Sequence, residues 1–187
     1  TAMALACDVT DSQRANRVVD EVVKAWGGLQ ILVNNAGITR DNIVLRMKDE
    51  QWDAVIQVNL RGTFLCTRAS VPVMKAARSG RIVNVSSTAG QRGEAFHTHY
   101  SATKGAIISF VKGLATELAR HNILVNCVAP GWVDTDMSKP TLETKAGRKS
   151  VLATIPLGRV AQPEEIAGPI LFAASDLASF MTGEVIN

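Results

Sequence analysis

Tyr100 and Lys104, set in the string Tyr100-Ser101-Ala102-Thr103-Lys104, are the residues whose types and spacing could do chemistry. One turn apart on a helix of about 3.6 residues per turn, the two side chains leave the same face and can act on one small molecule. An ammonium favours a neighbouring phenolate, so Lys104 is expected to pull the Tyr100 hydroxyl down from about 10 toward the range where tyrosine exchanges a proton near neutral pH. The spacing alone is weak. A half-buried ring and a solvated lysine tip on an ordinary helix have the same pattern, and the surrounding chain must decide between the two.

The elements that would position this pair alternate between strand and helix. Ala2 to Cys7 is a short apolar run, expected as a strand, that ends at Asp8. Thr10 with Gln13 resembles a capping box opening a helix that runs to about Trp26, closed by Gly27-Gly28. Ile31-Leu32-Val33 is wholly apolar, as expected for a strand covered on both faces, and stops at Asn34-Asn35-Ala36-Gly37. A long helical pattern from about Glu50 to Ala77 carries Val55, Val58, Phe64 and Val71. Arg81 to Val85 returns to strand character before Ser86-Ser87, and a loop with Gly90 and Gly93 follows. Tyr100 opens a helix reaching about Arg120, and Ile123 to Val128 forms another buried strand that halts at Pro130-Gly131. A segment rich in Lys, Thr and Ser runs from Ser138 to about Ser150, Pro163 begins a helix at its permitted first position, and the chain stops in Gly183-Glu184-Val185-Ile186-Asn187.

Such alternation predicts an α/β fold: one domain over residues 1–187, a doubly wound parallel sheet with helices on both faces, and ligands beyond the carboxyl ends of the strands. Asp8, Asn34-Asn35, Ser86-Ser87 and Pro130-Gly131 each follow an expected strand and would line one rim.

The bulk composition excludes several classes. Hydrophobic residues are 47% and charged residues 20% of 187, an ordinary globular balance rather than that of a disordered chain. A net charge of +3 with scattered basic residues, and only 5% aromatics, offers nucleic acid neither an electrostatic footprint nor a stacking platform. Cys7, Cys66 and Cys127 are odd in number, lack metal or redox-motif spacing and lie in apolar runs. They read as buried free thiols in a reducing, cytoplasmic setting. No apolar stretch approaches the ~20 residues that span a bilayer, so no membrane partner is expected. His97, His99 and His121 form no metal-like spacing, and His97 and His99 read as solvated loop residues beside the mouth of the site.

Taken in order, Asn34-Asn35-Ala36-Gly37, Asn59, Ser87, Tyr100-x-x-x-Lys104 and Pro130-Gly131 resemble the short-chain dehydrogenase/reductase family across essentially the whole chain. Each motif is weak singly; their shared order and element types carry the resemblance. The run Asn34 to Asn42, followed by Arg46-Met47-Lys48-Asp49-Glu50, Val125 to Gly131 and Thr135-Asp136-Met137, is similar to the 3-oxoacyl-(acyl-carrier-protein) reductases of fatty-acid synthesis. Reductases of CoA esters, sugars and steroids share much of this text. The resemblance implies a Rossmann-like oxidoreductase that transfers hydride between NADP(H) and the 3-oxo carbon of a thioester. Alternatives are a dehydrogenase of another secondary alcohol and a non-catalytic binding member of the fold.

The resemblance also implies roles. Tyr100 protonates the carbonyl oxygen, Lys104 lowers its pKa and bonds the nicotinamide ribose, and Ser87, favoured over Ser86, donates to the substrate oxygen. Asn59 holds a water-mediated proton relay, or braces its helix as a satisfied amide, or both. Asp8 and the Val9 backbone meet the adenine; Asn34, Asn35, Ala36 and Gly37 let the chain approach the dinucleotide; Pro130, Gly131, Val133 and Thr135 face the nicotinamide. Carrier recognition implies two arginines beside the cleft: Arg78 matches one, while His121, next to Arg120, stands where the second is expected. A homotetramer pairing the helices of Asn59 and Tyr100 is implied too. The family's Thr-Gly-x-x-x-Gly-x-Gly loop is not among these residues, so the reading is of a piece lacking about sixty residues and two strands at its start, with a short stretch after Asn187. NADP(H) is preferred to NAD(H) on the reductase resemblance, because the segment that distinguishes them lies mostly in that part.

Overall fold

The computed structural model describes residues 2–187. Helix α1 (Ser12–Trp26) starts where the Asp11 carboxylate accepts from the Gln13 and Arg14 amides, and it ends at Gly27, whose φ of 79° few side-chain-bearing residues adopt. The cap is thus Asp11 rather than the expected Thr10 box. Thr10 instead turns its amide and hydroxyl to the Asp8 carboxylate, at 2.9 and 2.8 Å.

Four parallel strands form the sheet in spatial order: β1 (Ile31–Asn34), β2 (Gly80–Val85), β3 (Ile123–Val128) and β4 (Val185–Ile186). Register runs from Ile31 opposite Arg81, through Val85 opposite Val128, to Cys127 opposite Val185. The Ala2 to Cys7 strand does not form: among the described residues that segment pairs with no strand, and most of it is exposed. Strand geometry depends on a neighbour to take its amides and carbonyls, and the sheet offers none there. Cys7 lies on this segment and is exposed, and Cys66 is half-buried, so only Cys127 is the buried thiol that composition suggested.

Helices α3 (Gly62–Ala77) and α5 (Thr98–Leu118) cover one sheet face, and α8 (Pro163–Ala174) covers the other over β2 and β3. Met74, Ile82, Ile107, Val111, Ile123 and Val125 make the larger core, each buried side chain contributing about 1.5–3 kcal/mol. Val83, Val128 and Ala173 make the smaller core beneath α8. Because α8 does not reach over β1, Ile31 and Val33 remain 48% and 40% exposed, and that strand is covered on one face rather than two.

The long helix expected from Glu50 is interrupted. Helix α2 (Asp49–Val55) passes through a wide π turn at Ile56–Arg61 before α3 begins. The wider turn advances the helical phase, so Leu65 rather than Phe64 faces the core and Phe64 is 42% exposed, with the Arg68 guanidinium 5.0 Å from its ring centre. The expected loop after Ser87 is a short helix, α4 (Thr88–Arg92), because the Ser87 hydroxyl accepts from the Ala89 amide and caps it. Two small helices, α6 (Lys139–Leu142) and α7 (Lys145–Leu152), pack Leu142 and Val151 beside Val160 and half-buried Trp132. Among the described residues, no helix is long and apolar enough to cross a membrane.

Gly90 governs how closely α4 meets α5. A Cβ there would fall 2.5 Å from the Lys104 carbonyl carbon and 2.7 Å from the Gly105 amide nitrogen, both backbone atoms that cannot swing aside. Gly90→Ala should therefore destabilise the protein by about 1–3 kcal/mol in denaturant unfolding. Gly113→Ala, on α5 with open space around its Cα, should stabilise by about 0.5–1 kcal/mol. Equal effects of the two substitutions would refute the close-contact account.

Candidate active site

The carboxyl ends of β1, β2 and β3 open into one cavity of about 540 Å³, within the usual range for small-molecule sites. Asn35, Gly37, Ser87, Tyr100 and Lys104 line one side. Pro130, Gly131, Val133 and Thr135 line the other. That second wall is tied down by the Val133–Ala161 bridge and by Ser138, whose hydroxyl donates to the Val133 carbonyl at 2.6 Å.

Helix α5 delivers Tyr100 and Lys104 together, the ammonium 5.5 Å from the centre of the tyrosine ring. Lys104 is only 4% exposed, and its Nζ donates to the Val85 carbonyl at the end of β2, at 2.7 Å. Burial lowers its pKa to about 8. The expectation that Lys104 pulls the phenol downward is corrected by the geometry. Burial pushes the Tyr100 hydroxyl above its usual value; the Ser87 hydroxyl opposes this and the Glu94 carboxylate adds to it. Desolvation outweighs an ammonium that lies over the ring face.

The adjacent serines divide. Ser86 is buried and donates to the Lys104 carbonyl at 2.7 Å, which bolts the end of β2 to α5. Ser87 lines the cavity beside Tyr100.

Asn59 is fully buried in the π turn, away from the cavity lining. Its Oδ1 accepts from the Ile38 amide at 2.8 Å, and its Nδ2 donates to the Ile38 carbonyl at 3.0 Å and to Thr103 Oγ1 at 3.2 Å. The amide side chain is fully used in bracing the loop after β1 against α5. A Cβ on Gly37 would sit 3.4 Å from Asn59 Oδ1 and 3.5 Å from Lys104 Nζ, so the missing side chain keeps a gap open beside the ammonium. Asn34 points elsewhere: its Nδ2 donates to Thr67 and Asn84 in the interior.

Three expected cofactor contacts do not reach the cavity. Asp8 is exposed, and the Thr10 amide and hydroxyl hold its carboxyl below the usual range. Val9 packs against Gly62, where an added Cβ would fall 2.7 Å from its methyl. Ala36 is exposed outside the lining. Sequence reasoning missed Thr39, Asp41, Arg92 and Glu94 on the wall; no local spacing links the loop after β1 to the chain before α5. It also misread His99, which is fully buried on α5 with the Arg40 backbone as its polar neighbour. Burial lowers its pKa, and the Arg40 backbone only partly offsets that effect. On the far end of α5, Arg78 Nη2 donates to the Arg120 carbonyl at 3.2 Å, and Lys75, Arg78 and Arg120 gather around His121.

A family model described as enoyl-(acyl carrier protein) reductase matches residues 1–187. The 3-oxoacyl-(acyl-carrier-protein) reductase FabG of Thermotoga maritima is 51% identical over 180 residues, covering 96% of this chain and 72% of the relative. The FabG of Aquifex aeolicus is 45% identical over 186 residues, covering 100% and 74%. The 3-oxoacyl-(acyl-carrier-protein) reductase of Synechocystis sp. is 42% identical over 187 residues, again covering 100% and 74%. With the parallel sheet and a tyrosine–lysine pair at the strand ends, these matches lead to one statement: the chain belongs to the short-chain dehydrogenase/reductase family, oxidoreductases that act on CH–OH groups with a nicotinamide cofactor.

Proposed function

We propose that this protein is a 3-oxoacyl thioester reductase that uses NADPH, with an acyl carrier protein as the bearer of its substrate. The observation that carries the chemistry is that Ser87 and Tyr100 line one cavity, with the buried Lys104 ammonium over the tyrosine ring. Two hydroxyls side by side suit a carbonyl oxygen that gains negative charge. Relatives named as 3-oxoacyl reductases favour carbonyl over enoyl reduction.

The residues present fit a nicotinamide riboside, because the gap beside Gly37 lies against the Lys104 ammonium and would close if a side chain stood there. Asn35, Gly37 and Lys104 would hold it on one side, and Pro130, Gly131, Val133 and Thr135 on the other. The bound nicotinamide supplies hydride to the carbonyl carbon. Ser87 donates a hydrogen bond to the carbonyl oxygen and orients it. Tyr100, kept protonated by burial, gives its proton to that oxygen as the charge develops. Lys104, with a pKa of about 8, stabilises the phenolate that results and can hand on a proton near neutral pH. Asn59 acts through the backbone, holding the Ile38 peptide and Thr103 so that the loop and α5 keep their spacing. The Lys75, Arg78 and Arg120 cluster offers positive charge to an acidic carrier.

Tyr100→Phe should lower the rate of acetoacetyl thioester reduction at least about a hundredfold; wild-type rates in the variant would exclude Tyr100 as the acid. Steady-state comparison of the two dinucleotides should favour NADPH over NADH in kcat/KM by roughly tenfold or more, about 1.4 kcal/mol, and equal values would remove the NADPH assignment.

The buried ammonium also predicts a pH effect on stability. An unfolded lysine keeps its proton to about 10.4, whereas Lys104 releases it near 8. Between those values the unfolded chain binds more protons, so this group's penalty is full below pH 8 and is relieved as pH rises through the window. The difference in unfolding free energy between wild type and Lys104→Met should shift in favour of wild type by an amount of order 3 kcal/mol from about pH 7 to about pH 10. A difference that stays flat across the window would show that the ammonium is well solvated.

A further inference from the structure

One wall of the cavity is built by two segments far apart in sequence, residues 38–42 after β1 and residues 94–99 leading into α5, and they are laced together. The Asn42 amide donates to the Phe96 carbonyl at 2.9 Å, with Phe96 itself at a φ of 67° that bulky residues seldom adopt. The next residue, His97, has its Nε2 3.0 Å from Asp41 Oδ1 and its Nδ1 2.9 Å from the Ala95 carbonyl. Thr39 donates to the same Asp41 oxygen at 2.6 Å. Acceptors thus face both ring nitrogens, and whichever nitrogen carries a hydrogen has a partner to donate to. The imidazole is held between the Asp41 carboxylate and the Ala95 carbonyl, and Thr39, Asp41 and His97 all line the cavity that holds Tyr100. The other charged groups nearby do not compete for it: the Arg40 guanidinium turns back to the Thr39 carbonyl, Arg92 and Glu94 stand on the same wall outside any ion pair among the described residues, and His99 is buried with its charged form disfavoured.

We infer that the His97–Asp41 pair is a positioning latch that holds the substrate-side wall of the cavity closed, and so sets how tightly the acyl thioester is held. Neither residue touches the reacting atoms. The role rests on the reductase function proposed above, but the latch itself is a property of the wall. A half-exposed polar contact adds little to global stability. Its effect is local, since the other ties between the two segments among the described residues are few: the Asn42–Phe96 backbone hydrogen bond and the approach of His99 to the Arg40 backbone. Opening the wall loosens the substrate's contacts without removing Tyr100, Ser87 or Lys104, so binding suffers more than the chemical step.

The test uses the holoenzyme and the variants Asp41→Asn, His97→Gln, their double mutant and His97→Arg, with steady-state kinetics on a 3-oxoacyl thioester and hydrogen exchange of the Asn42 amide. Each single substitution should raise KM about fivefold to tenfold, a larger change than any fall in kcat, and should speed exchange at Asn42. The double mutant should be no worse than either single, because both break one interaction. His97→Arg, which supplies more than one donor to the Asp41 carboxylate, should recover most of the KM. Additive effects, a fall in kcat with KM unchanged, or unaltered exchange at Asn42 would each overturn the latch. If wild type fails to reduce the thioester, the proposed function falls while the exchange measurement still decides the latch: faster exchange in the variants upholds it and unchanged exchange removes it.

Discussion

The interaction on which the rest of this structure depends is the hydrogen bond from the buried Lys104 ammonium to the Val85 carbonyl. A charge taken out of water is costly unless it is bonded and closely packed, and the neighbouring residues are arranged to meet that demand. Val85 supplies an acceptor at the end of β2. Ser86, the next residue, donates to the Lys104 carbonyl, so strand end and helix grip each other from both sides. Gly90 lets α4 lie directly against the Lys104 backbone, and Gly37 leaves the ammonium open toward the cavity. The tyrosine ring lies across the ammonium on the remaining side. A site assembled around one desolvated charge tolerates few changes of size near it.

That desolvation also decides the electrostatics of the proton donor. Proximity of opposite tendencies would lower the phenol and raise the ammonium, but both shifts run the other way. The reason is that each group is buried and the charged form of each is penalised, while the ammonium meets the ring face instead of the hydroxyl. For carbonyl reduction this direction is useful. A phenol that holds its proton at neutral pH is ready as an acid, and an ammonium that titrates near 8 lies within reach of releasing a proton under the same conditions. The reverse arrangement, a standing phenolate beside a strongly basic lysine, would suit alcohol oxidation instead.

Much of this was legible in the chain. The apolar runs at Ile31, Arg81 and Ile123 became β1, β2 and β3, and the polar strings after them became the cavity rim, because a strand's end and a loop's start are local properties of composition. Asn59 stood out as an amide in an apolar helix and proved fully bonded. What escaped was set by tertiary context. The Ala2 to Cys7 run has strand composition but no partner in the sheet. The π turn at Asn59 shifts helical phase, and no periodic pattern foresees that shift, so Phe64 was placed on the wrong face. His99 looked like a loop residue because its polarity was visible and the packing that buries it was not. The sign of the Tyr100 shift failed for the same reason: spacing reports distance, and burial must be seen.

Two kinds of geometric rule therefore build the site, and they differ in how far they reach along the chain. Helical spacing sets the Tyr100–Lys104 pair within five residues. The remaining rim is set by sheet register. Val85 pairs with Val128, and the ladder continues past the strands: the Ser86 amide donates to the Val128 carbonyl at 2.8 Å and the Thr88 amide to the Pro130 carbonyl at 2.9 Å. Those two bonds set Ser87 beside Pro130, whose carbonyl accepts from the Ser87 hydroxyl at 3.4 Å. A slip of one residue between β2 and β3 would turn Ser86 toward the cavity and Ser87 toward α5, exchanging the hydroxyl that bolts the helix with the one that meets the substrate oxygen. The buried apolar residues of both strands oppose that slip, and it would also pull Asn84 Oδ1 away from Asn34 Nδ2 and Asn126 Nδ2 away from the Met181 carbonyl. Core packing thus specifies which of two adjacent serines can do chemistry.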